Sequence, residues 1–443
     1  MKKFLSIVLI LSMTLGAVSC TPGLNDRIKV EDQLSKLTQA GDNIWINDDK
    51  EYEAMVNSLL YITNDTETEG CWLVATDDDI IFASGNGIMD NDGNTVDPFT
   101  TFEIGSMSKS FVSVCIFKLA EEGKISLDDT LGDFFPEYSS CPNFEATSKV
   151  TISDMLHMRS GIPDYLNTLT DFWDENTIRA ILGSDADELL RTGDQRSFLD
   201  TPGSDEYFLE QLGAITDEEL FMENVFTCEP YFEPGEDFFY SNTNYYILAT
   251  IIEHITGKAY QDLVKEVVFD PCNMTGTSSM AFGDVEASLP EGAFYFRPEY
   301  SKGAGDIHSN VVDILKYDRA LFGGYLLKAE SLETMITPID FYACGFEIQD
   351  GVVSHGGDTP ACASGHYIIE RNGQHLYVIG WSHQGSRNGI LNLIGQQFDP
   401  KPKSNRSIYI VIGSSAAVIG IVACVIVHGK KKESEGADKA ASE

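Results

Sequence analysis

Positive charge is scarce in this sequence. Its 443 residues include 30 lysines and arginines against 69 aspartates and glutamates, which gives a formal net charge of −39. Because phosphate binding needs clustered lysine and arginine, this balance argues against nucleic acid as a partner. With 43% hydrophobic and 11% aromatic residues, the chain can still bury a large core, so we interpret the acidity as a solvated surface.

Motifs for metal binding and for dense disulfide bonding are also missing. The nine cysteines are scattered, and the chain contains neither a C-x-x-C pair nor an H-E-x-x-H segment. This pattern favours neither a zinc ribbon, a zincin nor a disulfide scaffold, and we expect no metal and no cofactor. The spacing leaves open whether one disulfide forms or all cysteines stay reduced.

Long hydrophobic runs occur near the two ends. MKKFLSIVLILSMTLGAVSC has two lysines, an apolar run and small residues before Cys20, which predicts a signal peptide over 1–20. Whether Cys20 becomes lipidated stays open. The uncharged segment SIYIVIGSSAAVIGIVACVIV at 407–427 is followed by Lys430 to Lys432, which predicts a transmembrane helix with a cytoplasmic tail. We therefore expect a single-pass protein of the cell membrane whose main domain is extracytoplasmic.

The part of the chain between these segments has strand patterns at both ends and helical patterns in the middle. CWLVATDDDIIFASGNG at 71–87 predicts two strands around an acidic turn, and GHYIIERNGQHLYVIGWSHQ at 365–384 predicts a hairpin. This order predicts an α+β fold with an antiparallel sheet flanked by helices. The predicted organisation is a signal peptide (1–20), a polar lead-in (21–50), a globular domain (51–398) containing a helical and loop region (166–225), a linker (399–406), a transmembrane helix (407–427) and a tail (428–443).

The segment FEIGSMSKSF at 102–111 places a lysine near the start of a helix that is otherwise suited to burial. Apolar residues lie on nearly all sides of this helix, and Gly123 stands where it is expected to end. Ser106 and Lys109 are three positions apart, so their side chains meet on one face. Because a buried ammonium is costly unless its pKa falls, the serine beside it is a candidate activated nucleophile. The alternative is a capping serine and a lysine that extends to the surface.

Two later segments offer partners for this serine–lysine pair. In FEPGEDFFYSNTNYYIL, Tyr240 can act as a base, and the amide of Asn242 can hold both the lysine and a substrate carbonyl. Tyr165 and Asn167 have the same Y-x-N spacing, so that motif alone is weak evidence. In SHGGDTP, the glycines after His355 would let a substrate lie against a strand, and a simple turn is the alternative.

In this order, the three motifs resemble those of the serine β-lactamase and penicillin-binding-protein superfamily. The closer resemblance is to the β-lactamase-related serine hydrolases, the branch with class C β-lactamases, D-alanyl-D-alanine carboxypeptidases and carboxylesterases. Blocks such as GKISLDDTLGDFFPEY, ISDMLHMRSGIPDY and GAGDIHSNVVDILKYDRAL look like that family's blocks and fall in its order. The resemblance implies a β-lactamase/DD-peptidase-like fold with 51–398 as the hydrolase domain and 166–225 as the roof of its site.

The resemblance also implies roles for individual residues. The implied catalytic residues are Ser106, Lys109 and Tyr240, and the implied substrate-binding residues are Asn242, His355, Gly356, Gly357 and Asp358. Ser106 is expected to form an acyl-enzyme while Lys109 and Tyr240 relay its proton. The backbone N–H groups of Ser106 and Asp358 are expected to hold the oxyanion.

Two histidines receive different interpretations. His355 stands where many β-lactamases have lysine, which argues against efficient β-lactam hydrolysis. With an unperturbed pKa of about 6.5, its charge would change near neutrality, so we predict pH-dependent binding of a substrate carboxylate. His157, at the end of a helix, is interpreted as a hydrogen-bonded structural brace.

These predictions describe a membrane-anchored serine hydrolase that acts on a peptide or amide, such as the D-Ala-D-Ala end of cell-wall peptides. A carboxylesterase or other small-acyl hydrolase is the alternative, and a β-lactamase is less favoured. The non-enzyme alternative is an acylated sensor or a homologue without turnover. The sequence does not indicate the oligomeric state.

Overall fold

The computed structural model describes residues 29–64, 69–90, 92–182, 186–192, 216–281, 283–284, 298–359, 361–371 and 373–383. The predicted signal peptide, linker, transmembrane helix and cytoplasmic tail lie outside these residues, and so does 193–215 of the predicted roof. Within the described ranges, no helix combines the length and the apolar character that crossing a membrane would require.

The strands of the described residues form two antiparallel sheets. In chain order they are β1 (Thr38–Gly41), β2 (Ile44–Ile46), β3 (Gly70–Thr76), β4 (Ile80–Asn86), β5 (Phe102–Glu103), β6 (Ser278–Ser279), β7 (Ile307–Ser309), β8 (Glu347–Gln349), β9 (Val352–Asp358), β10 (Cys362–Arg371) and β11 (Gln374–His383). The large sheet has the order β1-β2-β4-β3-β11-β10-β9-β8, and the small one β5-β7-β6. The two predicted pairs, β3 with β4 and β10 with β11, are confirmed.

The first and last parts of the domain meet in the middle of the large sheet. Strand β11 pairs with β3 along its length, with Val378 opposite Val74. The hydroxyl of Tyr377 donates to the carboxylate of Asp77, in the turn after β3, at 2.8 Å. The expected antiparallel sheet, with strands from both ends of the domain, is therefore present.

Helices cover both faces of this sheet. They are α1 (Val30–Leu34), α2 (Glu53–Asn64), α3 (Ser108–Glu121), α4 (Leu131–Phe134), α5 (Phe144–Thr147), α6 (Ile152–Leu156), α7 (Leu169–Phe172), α8 (Glu175–Leu182), α9 (Ala186–Thr192), α10 (Glu218–Thr227), α11 (Asn242–Thr256), α12 (Tyr260–Val264), α13 (Val311–Phe322) and α14 (Ala329–Met335). On one face, Val56 and Leu59 of α2 pack in a small cluster with Trp72. The other face carries the main core, which includes α3, α11 and α13.

Helix α3 lies inside the main core. Nearly every side chain from Ser108 to Leu119 is buried, and Phe111 stacks on Tyr317 with ring centroids 4.0 Å apart. Each fully buried large apolar side chain contributes about 1.5–3 kcal/mol, so this helix is fixed by packing rather than by a polar face. Gly123 follows the helix with a φ of 69°, as its position in the sequence predicted.

The seven cysteines in the described residues form no disulfide. Burial raises the pKa of Cys228 and of Cys272 to about 12. Their thiols therefore stay protonated at neutral pH and pack as small apolar side chains.

Candidate active site

A tight turn places Ser106 between the small sheet and helix α3. Strand β5 leads into a short 3-10 turn, Gly105–Met107, and α3 begins at Ser108. Gly105 has a φ of 52°, and a Cβ atom there would lie 3.0 Å from the backbone nitrogen of Asp358. Glycine thus allows the end of β9 to approach the turn that carries Ser106.

Lys109 points from α3 toward this turn and is fully buried. Its Nζ lies 2.9 Å from Ser106 Oγ, 2.8 Å from Asn242 Oδ1 and 2.7 Å from the carbonyl oxygen of Ala304. Three acceptors match the three N–H bonds of an ammonium. The structure thus brings serine and lysine together as predicted, and it excludes a lysine that extends to the surface.

The environment of Lys109 suits a general base. Burial lowers the pKa of Lys109 to about 7, although the carboxylates of Asp164 and Asp306 oppose this shift. A base whose pKa is near the working pH is partly unprotonated and still retains a driving force for proton transfer. In its neutral form, the amine can accept the hydroxyl proton of Ser106 at the observed distance.

Of the two Y-x-N segments, the second one lies at the site. The ring centroid of Tyr240 is 5.1 Å from Lys109 Nζ, and Asn242 bonds the same nitrogen. Tyr165, in contrast, is fully buried and its hydroxyl donates to the carbonyl oxygen of Tyr300 at 2.5 Å. The geometry therefore removes the ambiguity that the sequence left.

Asn242 is the first residue of α11, and it links Lys109 to a carboxylate. Its Oδ1 accepts from Lys109, and its Nδ2 donates to Asp164 Oδ2 at 2.9 Å. Asp164 was not among the predicted site residues. Its only signal in the sequence was its place in the block ISDMLHMRSGIPDY, which the family resemblance already contained.

A second element missed from the sequence is the turn that presents Ala304 to Lys109. Gly303 adopts a φ of 70°, and its backbone N–H donates to Asp306 Oδ1 at 2.7 Å. The other oxygen of Asp306 accepts from the hydroxyl of Ser279. Burial raises the pKa of Asp306 to about 6. The turn therefore aims a carbonyl dipole at the lysine and places a titratable carboxyl close behind it.

Strand β9 brings the predicted glycines beside the turn that carries Ser106. A Cβ atom on Gly357 would lie 1.9 Å from the carbonyl oxygen of Ile104, which also accepts from Ser364 Oγ at 2.9 Å. Gly356 pairs with Gly365 in the neighbouring strand β10. Because the backbones are in contact here, the position of Asp358 N relative to Ser106 depends on the absence of a side chain at 357.

His355 lies at the site, but its state differs from the prediction. The side chain is 2% exposed, its Nδ1 lies 2.6 Å from the carbonyl oxygen of Gly356, and its Nε2 lies 3.0 Å from the hydroxyl of Tyr342. Since a carbonyl only accepts, we assign the proton to Nδ1 and the Tyr342 hydroxyl as donor to Nε2. Burial and the nearby Lys109 lower the pKa of His355 to about 3. This low pKa contradicts the prediction that the ring titrates near neutrality, and a neutral His355 would not attract a substrate carboxylate as a cation.

His157 is a structural brace, as predicted. Its Nδ1 lies 2.8 Å from the carbonyl oxygen of Ser153, one turn earlier, and its Nε2 lies 3.6 Å from Cys344 Sγ. Burial lowers the pKa of the ring, so the neutral form fits these contacts. Among the described residues, no group of three His, Cys, Asp or Glu side chains is arranged to hold a metal ion.

Comparison with known proteins places this chain in a protein family. Residues 64–341, more than half of the chain, match the family model described as Beta-lactamase. Penicillin-binding protein 4* of Bacillus subtilis is 26% identical over 293 residues, which cover 58% of this chain and 56% of that protein. Protein flp of Staphylococcus aureus is 27% identical over 207 residues, 46% of this chain and 34% of that protein. The chain thus spans about half or less of the length of these curated relatives.

Solved structures share the fold. A penicillin binding protein from Bacillus halodurans superposes with a TM-score of 0.57 at 22% identity, over 77% of this chain and 100% of that chain. A D-stereospecific amidohydrolase from Streptomyces superposes with a TM-score of 0.54 at 20% identity, over 79% and 99% of the two chains. The family match, together with this fold and the serine–lysine pair, shows that the chain belongs to the β-lactamase family.

Proposed function

We propose that this protein is a membrane-anchored, extracytoplasmic serine hydrolase that cleaves a peptide or amide bond through an acyl-enzyme. The observation that supports the mechanism is the 2.9 Å contact between Ser106 Oγ and a buried Lys109 whose pKa is about 7. The names of similar proteins, which include penicillin-binding proteins and a D-stereospecific amidohydrolase, support an amide substrate. The D-Ala-D-Ala end of a cell-wall peptide is the specific candidate.

The proposed reaction has two acyl-transfer steps. Lys109 takes the proton of the Ser106 hydroxyl as Oγ attacks the carbonyl carbon, and the backbone N–H groups of Ser106 and Asp358 stabilise the oxyanion. The tetrahedral intermediate collapses, and the leaving amine receives a proton through Lys109 and Tyr240. Water then attacks the ester of the acyl-enzyme, loses a proton to the same pair, and releases the acid and the free serine.

A second candidate, a carboxylesterase, is favoured by the neutral state of His355. A neutral His355 cannot form a charge-assisted hydrogen bond with a substrate carboxylate, so it does not favour a substrate that ends in one. The net charge of −39 also disfavours the approach of anionic substrates at long range. The two candidates differ in whether the reactive carbonyl belongs to an amide or to an ester.

A matched substrate panel tests the proposal on the full-length protein in detergent. The panel contains a D-Ala-D-Ala peptide with a free carboxylate, the same peptide with a C-terminal amide, a short-chain ester and a chromogenic β-lactam. We expect turnover of both peptides with similar KM values between pH 6 and 8, because His355 stays neutral across this range. Turnover of the ester alone would favour the carboxylesterase, and a stable adduct without turnover would favour a sensor.

The proposed anchor is tested by deletion of residues 407–443. Because 407–427 is uncharged and followed by lysines, we expect the truncated protein to move from the membrane fraction to the soluble fraction and to stay active. Immunoblotting of fractionated cells measures the shift. A truncated protein that stays with the membrane, and leaves it only when Cys20→Ala is added, would assign the anchoring to a lipid on Cys20.

A further inference from the structure

A buried carboxylate lies behind the catalytic lysine, on the far side of Asn242. Asp164 is 0% exposed. Its Oδ2 accepts from the backbone nitrogen of Asn242 at 2.8 Å, from Asn242 Nδ2 at 2.9 Å and from Asn167 Nδ2 at 3.0 Å. Its Oδ1 accepts from the backbone nitrogens of Leu166 at 2.7 Å and Asn167 at 3.1 Å. Five N–H donors and no donated bond fit an ionised carboxylate, which only accepts.

These contacts fix the orientation of the Asn242 amide. An amide presents an oxygen on one side and an NH₂ group on the other, and the two are nearly equal in size. If the Asn242 amide were reversed, its oxygen would face the carboxylate of Asp164 and its NH₂ group would face Lys109 Nζ. Both contacts would be repulsive, so Asp164 holds the acceptor oxygen toward the lysine.

The backbone contact adds a second constraint. Because Asp164 Oδ2 also accepts from the backbone nitrogen of Asn242, it holds the first residue of α11, which starts directly after Tyr240 and Ser241. Asp164 itself is held by the turn from 164 to 168, where Thr168 Oγ1 accepts from its backbone nitrogen at 2.8 Å. One side chain thus ties the turn after Gly161 to the segment that carries the tyrosine and the asparagine.

We propose that Asp164 is a positioning residue of this hydrolase, which locks the Asn242 amide with its oxygen on Lys109 and directs its remaining Nδ2 N–H toward the carbonyl of the acyl group. The serine–lysine pair is thereby extended to a chain of four side chains, Ser106, Lys109, Asn242 and Asp164. This inference rests on the proposed function, because it assigns Asp164 a role in the same acylation step.

The electrostatic consequence concerns the proton affinity of Lys109. Several elements face its amine: Ser106 from the turn, Tyr240 and Tyr245 from the segment at α11, His355 from β9, and the carboxylates of Asp164 and Asp306. Among these, the two carboxylates raise the pKa of Lys109, and burial lowers it. Removal of the charge at 164 therefore lowers the pKa of Lys109, whereas a purely structural defect does not.

The test is Asp164→Asn in the full-length protein, with Asp174→Asn as the matched control. Asp174 caps a turn in the same way, since its Oδ1 accepts from the backbone nitrogens of Asn176 at 2.7 Å and Thr177 at 3.1 Å, but it bonds no residue of the site. The readout is the second-order rate of inactivation by a fluorophosphonate between about pH 5 and 9, normalised to the titrated active sites. This probe reports the nucleophilicity of Ser106 without knowledge of the natural substrate.

We expect the wild-type rate to rise with pH through about 7, as Lys109 loses its proton. In Asp164→Asn, the midpoint should move to lower pH and the plateau rate should fall about 10- to 100-fold, because a displacement of about 1 Å in a reactive site can cost about 10²-fold. Asp174→Asn should have the same midpoint and the same plateau rate as the wild type. A combined variant, Asp164→Asn with Asn242→Asp, keeps a hydrogen bond between the two positions but places the negative charge at 242, next to Lys109 Nζ. Its midpoint should therefore move to higher pH.

The outcomes separate the two proposals. If Asp164→Asn shows only a lower melting temperature, with the wild-type midpoint and plateau rate per active site, Asp164 is not a positioning residue and the proposed function is unaffected. If the wild-type protein itself is not labelled on Ser106, both the proposed function and this inference are overturned.

Discussion

Ser106→Ala is expected to reduce turnover of any substrate by about 10³-fold or more and to abolish covalent labelling by a fluorophosphonate or a penicillin. The reason is that Ser106 Oγ is the atom that Lys109 contacts at 2.9 Å and the atom that would form the acyl bond. Mass spectrometry of the labelled wild-type protein should find the adduct on the peptide that contains Ser106.

Ser110→Ala is the control for this substitution. Ser110 is a buried serine of the same helix whose hydroxyl donates to the carbonyl oxygen of Met107 at 3.0 Å. Loss of this bond should cost about 1 kcal/mol of stability and leave labelling intact. An adduct on a serine other than Ser106, or activity that persists in Ser106→Ala, would contradict the assignment of the nucleophile.

Gly357→Ala is expected to produce the second large effect, a loss of about 10²-fold or more in kcat/KM. The added methyl group would lie 1.9 Å from the carbonyl oxygen of Ile104 and 2.5 Å from Ser364 Oγ, so strand β9 must move away from the turn that carries Ser106. Such a movement displaces Asp358 N from the place where an oxyanion would form. Steady-state kinetics, together with circular dichroism to confirm folding, measures the effect.

Gly41→Ala is the matched control in strand β1, because a Cβ atom there meets Ile44 Cδ1 at an ordinary 3.4 Å. It should leave kcat/KM within about twofold of the wild type, since surface substitutions without steric conflict usually change little. A folded Gly357→Ala variant with normal kinetics would show that the Asp358 amide does not hold the oxyanion.

The sequence predicted the parts of the site that depend on local spacing. Ser106 and Lys109 share a face because three positions separate them on a helix, and the hairpin of β10 and β11 follows from alternation around a turn. The state of His355 could not be predicted in this way. Its low pKa comes from complete burial and from the nearby Lys109, and both depend on the packing of β9 against parts of the chain that are distant in sequence.

The position of Asp164 beside Asn242 could not be predicted from local spacing either. Asp164 lies 78 positions before Asn242, and apart from its place in the block ISDMLHMRSGIPDY nothing distinguishes it from the many other aspartates of an acidic chain. Only the three-dimensional structure shows that the first Y-x-N segment supports the second, because Asn167 and Asn242 both donate to this carboxylate. The predicted domain boundaries remain predictions.

The pairing of β3 with β11 has a consequence for the order of folding. The hydrogen bond between Asp77 and Tyr377 joins residues 300 positions apart, and the bond between Lys109 and Ala304 spans 195 positions. Contacts of such long range make folding slow, because a large loop must close before they form. A nascent chain in which β9 to β11 have not yet emerged from the ribosome cannot complete the large sheet or bring Asp358 to Ser106. If Ser106 is the nucleophile, as proposed, its site cannot be complete before strands β9 to β11 have been synthesised.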